Sequence, residues 1–243
     1  MSRVLRLSPQ GSGALDDWGP MPTEDLVAGI GQQHGHLWLD DAGLGLMVGV
    51  WKCSPMTGRM GPWSTNEFVL LIDGAVTIDH EDGSALHLTA GEAAYIPKGT
   101  VCSWRQEGEL MKYFVIHSDA SGLTAADPAK LRARKIDPGA ALVPAEGPGA
   151  ELLIGDAPSC REAVAFTDLT GQLTTGVWSA TPYQRKPIAF PRHELMHIVE
   201  GEVTIGDEAF RAGDTLFVAM GAVAGWRSGS DVRKVFCSFT PGA

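Results

Sequence analysis

The chain has 243 residues, with 19 Lys and Arg against 29 Asp and Glu, a formal charge of −10; that balance repels phosphate backbones and argues against a nucleic-acid partner. Hydrophobic residues at 44% and charged residues at 20% fit a globular protein with a buried core, and no apolar run approaches the ~20 residues that span a membrane. Four cysteines without CxxC spacing, and an opening MSRVLRLSPQGSG with no apolar leader core, point to a cytoplasmic protein with reduced thiols.

Thirty Gly and fifteen Pro suit short strands joined by many turns. Arg6-Leu7-Ser8-Pro9 comes first, and an early strand carries His34 and His36. Gly49-Val50-Trp51 follows, then Ser54-Pro55. From Glu67 to Ile78, β-branched and apolar residues run up to Gly74 and resume beyond it, the pattern of strand, glycine turn and strand. His80-Glu81-Asp82-Gly83 reads as a hairpin tip and Ala90-Gly91-Glu92 as a turn. Ala93 to Pro97 is a short strand, with Cys102, Trp104 and Lys112 beyond it. A helix is predicted only over Ala125 to Arg134.

The second half repeats the first. Lys135-Ile136-Asp137-Pro138 answers Arg6-Leu7-Ser8-Pro9, and Gly176-Val177-Trp178 answers Gly49-Val50-Trp51. Glu194 and Gly201 stand in the places of Glu67 and Gly74 at one constant offset. The offset shortens after a briefer hairpin in the second copy, pairing Gly213 with Gly91, Trp226 with Trp104 and Lys234 with Lys112. Such self-similarity is the mark of a tandem duplication, divided into residues 1–132 and 133–243. Short strands at regular spacing with turns between them predict an all-β barrel or sandwich in each copy.

The stretches Glu67 to Ile78 and Gly91 to Trp104, with their copies Glu194 to Ile205 and Gly213 to Trp226, resemble the two signature motifs of the cupin superfamily. The Gly-Val-Trp lead-in and the late Trp resemble its ethanolamine-utilisation and ureidoglycine-aminohydrolase-like branch, the cupin 3 or DUF861 subfamily. The resemblance implies two RmlC-like jelly-roll barrels, each a double-stranded β-helix, and a homodimer. Metal-binding cupins place an HxH pair shortly before the motif-one Glu and a third His in motif two. The corresponding positions here fall at Met60 to Trp63 and Cys102 in one half, and at Pro187 to Phe190 and Ala224 in the other. The ureidoglycine-type His positions hold Met196 and Glu200. No cofactor is therefore predicted; a divalent metal lacks its usual His ligands.

His193-Glu194-Leu195-Met196-His197 spells HExxH, but the zinc-protease chemistry needs a helix to put both His on one side with the Glu beside them. This segment reads as a strand, where Glu194 points away from both. Alternation instead turns Glu67, with Thr65 and Val69, and Glu194, with Arg192 and Met196, towards the barrel interiors. Cys102, Trp104 and Lys112 would join the first carboxylate, and Trp226 and Lys234 the second. Glu67 and Glu194 are the candidate catalytic groups, with pKa values raised by an apolar, Trp-lined site. They equally suit a structural role, accepting hydrogen bonds from the indoles or the Lys. Cys102 is a small buried hydrophobe or a reactive thiol. Arg59, Lys186 and Arg192 are candidates to hold an anion. The functional expectation is a small polar metabolite bound in a barrel, with metal-independent isomerase, lyase or hydrolase chemistry by a buried Glu. One alternative is a non-catalytic ligand-sensing or structural bicupin. A second is a metalloenzyme with unusual ligands such as His34, Glu67 and Cys102.

Overall fold

A computed structural model describes residues 4–242 of the chain, and among them strands dominate and α-helix is absent. Among the described residues only three short 3-10 turns occur, at Thr23–Asp25, Pro128–Lys130 and Ala150–Leu152. The helix expected over Ala125 to Arg134 is thus a single turn. Asp127 makes no side-chain cap, Leu131 is already extended, and Arg134–Ile136 is drawn into a sheet as a strand. Pairing with Ala93–Ile96 captures those last residues, outweighing a weak local helical pattern that Pro128 interrupts.

Two compact units result. One comprises Ser8–Ile136 with Asp168–Thr170; the other comprises the described residues up to Leu7, Asp137–Thr167 and the chain from Gly171 on. In the first unit a seven-stranded antiparallel sheet runs in the order Arg134–Ile136, Ala93–Ile96, Asn66–Asp73, Leu110–His117, Leu46–Cys53, Gln32–Asp41 and Asp16–Pro20. In the second unit the order is Val4–Arg6, Thr215–Val218, His193–Glu200, Val232–Phe239, Leu173–Ala180, Cys160–Thr167 and Val143–Pro144. Each sheet reproduces the other strand for strand, as the sequence repeat requires. A second sheet completes each unit, built around Ala75–His80 and Val101–Gln106 in one and around Glu202–Ile205 and Val223–Ser228 in the other.

The first strands are exchanged. Val4–Arg6, early in the chain, pairs with Thr215–Val218, while its repeat-mate Arg134–Ile136 pairs with Ala93–Ile96. The boundary read near residue 132 cuts just before that exchanged strand.

Gly74 and Gly201 turn the chain between equivalent strands with φ of 79° and 81°. A Cβ there would overlap the carbonyl oxygen of Glu109 or of Asp231, so both the angle and the space demand glycine. Within each unit, alternation packs one face of the Glu-bearing strand into an apolar core. Val69, Leu71, Val76, Ile78 and Trp104 form one such core; Met196, Ile198, Val203, Ile205 and Trp226 form the other.

Candidate functional site

Glu67 lies on the inward face of Asn66–Asp73, beside Val69 and Leu71, and its side chain is 4% exposed. Burying a carboxylate there is tolerable only with compensation. Lys112, on the neighbouring strand Leu110–His117, places Nζ 2.7 Å from Glu67 Oε1. The Trp63 indole donates to Glu67 Oε2 at 3.1 Å. The ammonium also stands over two aromatic faces, 4.7 Å from the Trp51 centroid and 4.4 Å from that of Trp104. These two indoles meet edge to face at 6.1 Å. Trp51 thus packs in the core and also cradles the cation with its ring.

The second half repeats this assembly with changes. Lys234 Nζ lies 2.7 Å from Glu194 Oε1 and faces Trp178 and Trp226 at 4.8 and 5.4 Å. Met196 Sδ lies 3.3 Å from the same nitrogen. Phe190, the counterpart of Trp63, has no N–H to give; Arg192 Nε donates to Glu194 Oε2 at 3.1 Å instead. Burial pushes the Glu194 carboxyl up, but Lys234 and Arg192 outweigh it and hold the group below the usual carboxylate range. The raised acid expected of a Trp-lined pocket is thus not found at Glu194: two cations reach it, and the apolar wall does not decide. A bulge on the Glu-bearing strand accompanies each Lys, at Ile72 opposite Lys112 and at Val199 opposite Lys234.

A cavity of about 450 Å3 opens on the second assembly, and Arg192, Glu194, Met196, Trp226 and Lys234 all line it. A smaller one, about 350 Å3, opens on Glu67 and Lys112 in the first unit. Cys102 and Trp104 do not line that smaller cavity; they pack into the core, 2% and 3% exposed. Burial, with the Glu67 charge adding to it, pushes the Cys102 thiol up to about 11, so it is a protonated thiol at neutral pH.

Among the wall residues that the sequence does not single out, two stand next to the assembly. Tyr183 and Arg185 line the 450 Å3 cavity, on the strand Tyr183–Ala189. Their repeat counterparts are Met56 and Gly58, and that contrast was the available signal. Strand alternation selects Arg185 over its neighbour Lys186, whose ammonium leaves the site to bond the Glu151 carbonyl. Arg59 likewise is engaged elsewhere, donating to the carbonyl of Glu24.

HExxH falls on the strand His193–Glu200, which puts Glu194 in the cavity wall while His193 stacks on Phe217. Among the described residues, no three His, Cys, Asp or Glu side chains come together in a group able to hold a metal ion. His34, Glu67 and Cys102 accordingly do not assemble. The carboxylates that a cupin metal would use are each already paired with a tethered ammonium, so the residues present do not fit such an ion.

A family model described as the EutQ-like cupin domain matches residues 45–114 and again residues 167–236. No curated protein matches the chain. A Pseudomonas syringae pv. tomato structure, of a DUF861-family protein of unknown function, is 26% identical with a TM-score of 0.80. That match covers 98% of this chain and 100% of the other. A Nostoc punctiforme protein described as a candidate dioxygenase is 12% identical with a TM-score of 0.62, covering 99% of this chain and 84% of its own. A cupin 2 conserved barrel domain protein from Leptotrichia buccalis is 10% identical with a TM-score of 0.51, covering 93% and 98%.

Proposed function

The chain belongs to the EutQ-like cupin family as a tandem bicupin, and on that premise we propose that it binds a small polar metabolite in the barrel of its second half. One observation carries this reading: the two halves share a buried assembly but differ in the walls above it. Glu, Lys and two Trp occur in both, as expected of groups that hold each barrel together. Several of the residues that differ line the cavities. Met47, Ile116 and Leu37 in the first are replaced by Thr174, Ser238 and Val164 in the second, and Arg192, whose repeat counterpart is Thr65, lines the second alone. The first cavity is mostly apolar around the Glu67–Lys112 pair; the second carries Arg185, Arg192, a phenol and the hydroxyls of Thr174, Ser238 and Thr240. Duplicated units keep what the fold needs and diverge where one of them meets a ligand.

A second reading, metal-independent proton transfer, draws on the Glu194–Lys234 pair lining this cavity. Glu194 is held ionised by Lys234 and Arg192, so it is the base of the pair, weakened by those same cations. Burial lowers the Lys234 ammonium, and Glu194 only partly restores it, which leaves Lys234 as the acid partner. Isomerase, lyase or hydrolase chemistry on a small metabolite fits such a pair.

Paired blocking variants test the binding site. Val164→Trp fills the second cavity, and Leu37→Trp fills the equivalent place in the first. Thermal-shift screening with small polar metabolites should show a stabilising compound for the wild type and for Leu37→Trp, and none for Val164→Trp. The reverse pattern would move the site to the first half, and the absence of any stabilising compound would remove the reading. Turnover of the same compound, abolished by Glu194→Gln and by Lys234→Met, would separate an enzyme from a sensor.

A further inference from the structure

Arg185 is the anomaly of the second cavity. It sits opposite Trp226 in the register of Tyr183–Ala189 with Val223–Ser228, half-buried at the cavity wall. Among the described residues no carboxylate forms an ion pair with it. Its Nε is fully buried without an acceptor, and a terminal nitrogen reaches only the Ala224 carbonyl, at 3.5 Å. The guanidinium carbon stands 5.1 Å over the Phe190 ring. The carboxylate that shares the cavity wall, Glu194, has both oxygens committed, one to Lys234 and one to Arg192. Burial accordingly holds Arg185 below the usual arginine range.

Partial burial of a guanidinium without a carboxylate in direct contact costs free energy that a ring face at 5.1 Å and one long hydrogen bond to a carbonyl offset only in part. Gly58 fills the same position in the first half without loss of the fold, so the barrel itself has no need of this cation. Resting on the binding reading above, we propose that the ligand is a small monocarboxylate whose carboxylate pairs with Arg185. The planar fork of an arginine matches a carboxylate through two parallel hydrogen bonds. The remaining walls suit an organic body: Phe190, Val164 and Phe236 are apolar, while Thr174 and Ser238 offer hydroxyls. Tyr183, pushed up by burial, keeps its phenolic proton as a donor. A single negative charge is the better match. Glu146, Glu162 and Glu194 line the same cavity and balance its three cations, which disfavours a dianion such as phosphate.

Isothermal titration of the full-length protein with acid and amide pairs tests this: benzoate against benzamide, and 3-hydroxybutyrate against 3-hydroxybutyramide, with inorganic phosphate alongside. At least one carboxylate should bind, with its amide weaker by about tenfold or more, as expected when a hydrogen bond to a charged group is lost. Arg185→Gln should weaken the acid to the level of the amide, and Arg185→Lys, which keeps the charge without the fork, should recover part of the difference. Circular dichroism and the urea midpoint establish that each variant folds. If acid and amide bind equally, or Arg185→Gln leaves the acid unchanged, the carboxylate assignment falls while cavity binding stands. Phosphate binding tighter than every carboxylate would also overturn it. If no compound binds and Val164→Trp changes nothing in the wider metabolite screen, the cavity reading falls with it.

Discussion

Lys112 Nζ lies 2.7 Å from Glu67 Oε1, and the side chains of this pair are only 9% and 4% exposed. A buried pair of this kind is costly to break from one side, because the surviving charge loses its partner but not its burial. Glu67→Gln should therefore destabilise the first unit by about 3 kcal/mol or more. The double variant Glu67→Gln with Lys112→Met should regain most of that loss, since both charges are then absent. Urea unfolding followed by Trp fluorescence reads this out, with Trp51, Trp63 and Trp104 all at the pair. Additive losses in the double variant would show that the two groups do not act as a unit.

The pair in the second half makes a prediction about acid. In the folded chain Glu194 sits below the usual range because Lys234 and Arg192 outweigh its burial. A depressed carboxyl contributes stability that is fully present above its unfolded value of about 4.3 and is lost as pH falls through the lower folded value. Denaturant midpoints measured from pH 7 down to pH 3 should fall more steeply for the wild type than for the Glu194→Gln, Lys234→Met double variant, with the difference confined to acid below about pH 5. Parallel curves would mean that Glu194 keeps an ordinary pKa.

Much of this architecture can be read from residues. Gly74 and Gly201 mark equivalent turns, and alternation correctly sends Glu67 and Glu194 inward with Val69 and Met196. The structural alternative for the two carboxylates, hydrogen bonds from Lys and an indole, describes Glu67 well. What stayed hidden depends on pairing across distance. Similarity between Arg6-Leu7 and Lys135-Ile136 reveals that two strands correspond, yet it carries no information about which barrel each one enters. Arg185 and Lys186 look alike as cations, and only the register opposite Trp226 distinguishes wall from surface. Trp104 donates to Gln106, while the buried Trp226 N–H has no acceptor because Ser228, at the equivalent place, is too short. Such differences between copies become informative only once the partners are seen.

The four cysteines should be chemically quiet. All are buried, and burial pushes Cys53 and Cys102 up to about 11. Because the thiolate is the nucleophile, Ellman's reagent at pH 8 should react slowly with the native protein and with all four thiols after denaturation in guanidinium. A fast-reacting thiol that disappears in Cys102→Ala would reinstate Cys102 as a reactive group.

The exchanged strands determine which fragments fold. Val4–Arg6 covers the edge strand Thr215–Val218, with Arg6 Nη1 2.8 Å from Asp214 and its guanidinium 4.5 Å over Phe210. Arg134–Ile136 covers Ala93–Ile96 and buries Ile136 to 2% exposure. A fragment cut at the sequence repeat, residues 1–132, therefore carries a strand that its own barrel does not use and lacks the one that it does. A fragment of residues 8–136 should be more stable than 1–132 by about 2 kcal/mol or more, the value of burying one isoleucine. In the full chain, starting at Ser8 should uncover the Thr215–Val218 edge and make the second half the first to be cleaved in limited proteolysis, identifiable by mass spectrometry. Equal stability of the two fragments, or first cleavage within the first half, would mean that the exchanged strands contribute little to the stability of their units.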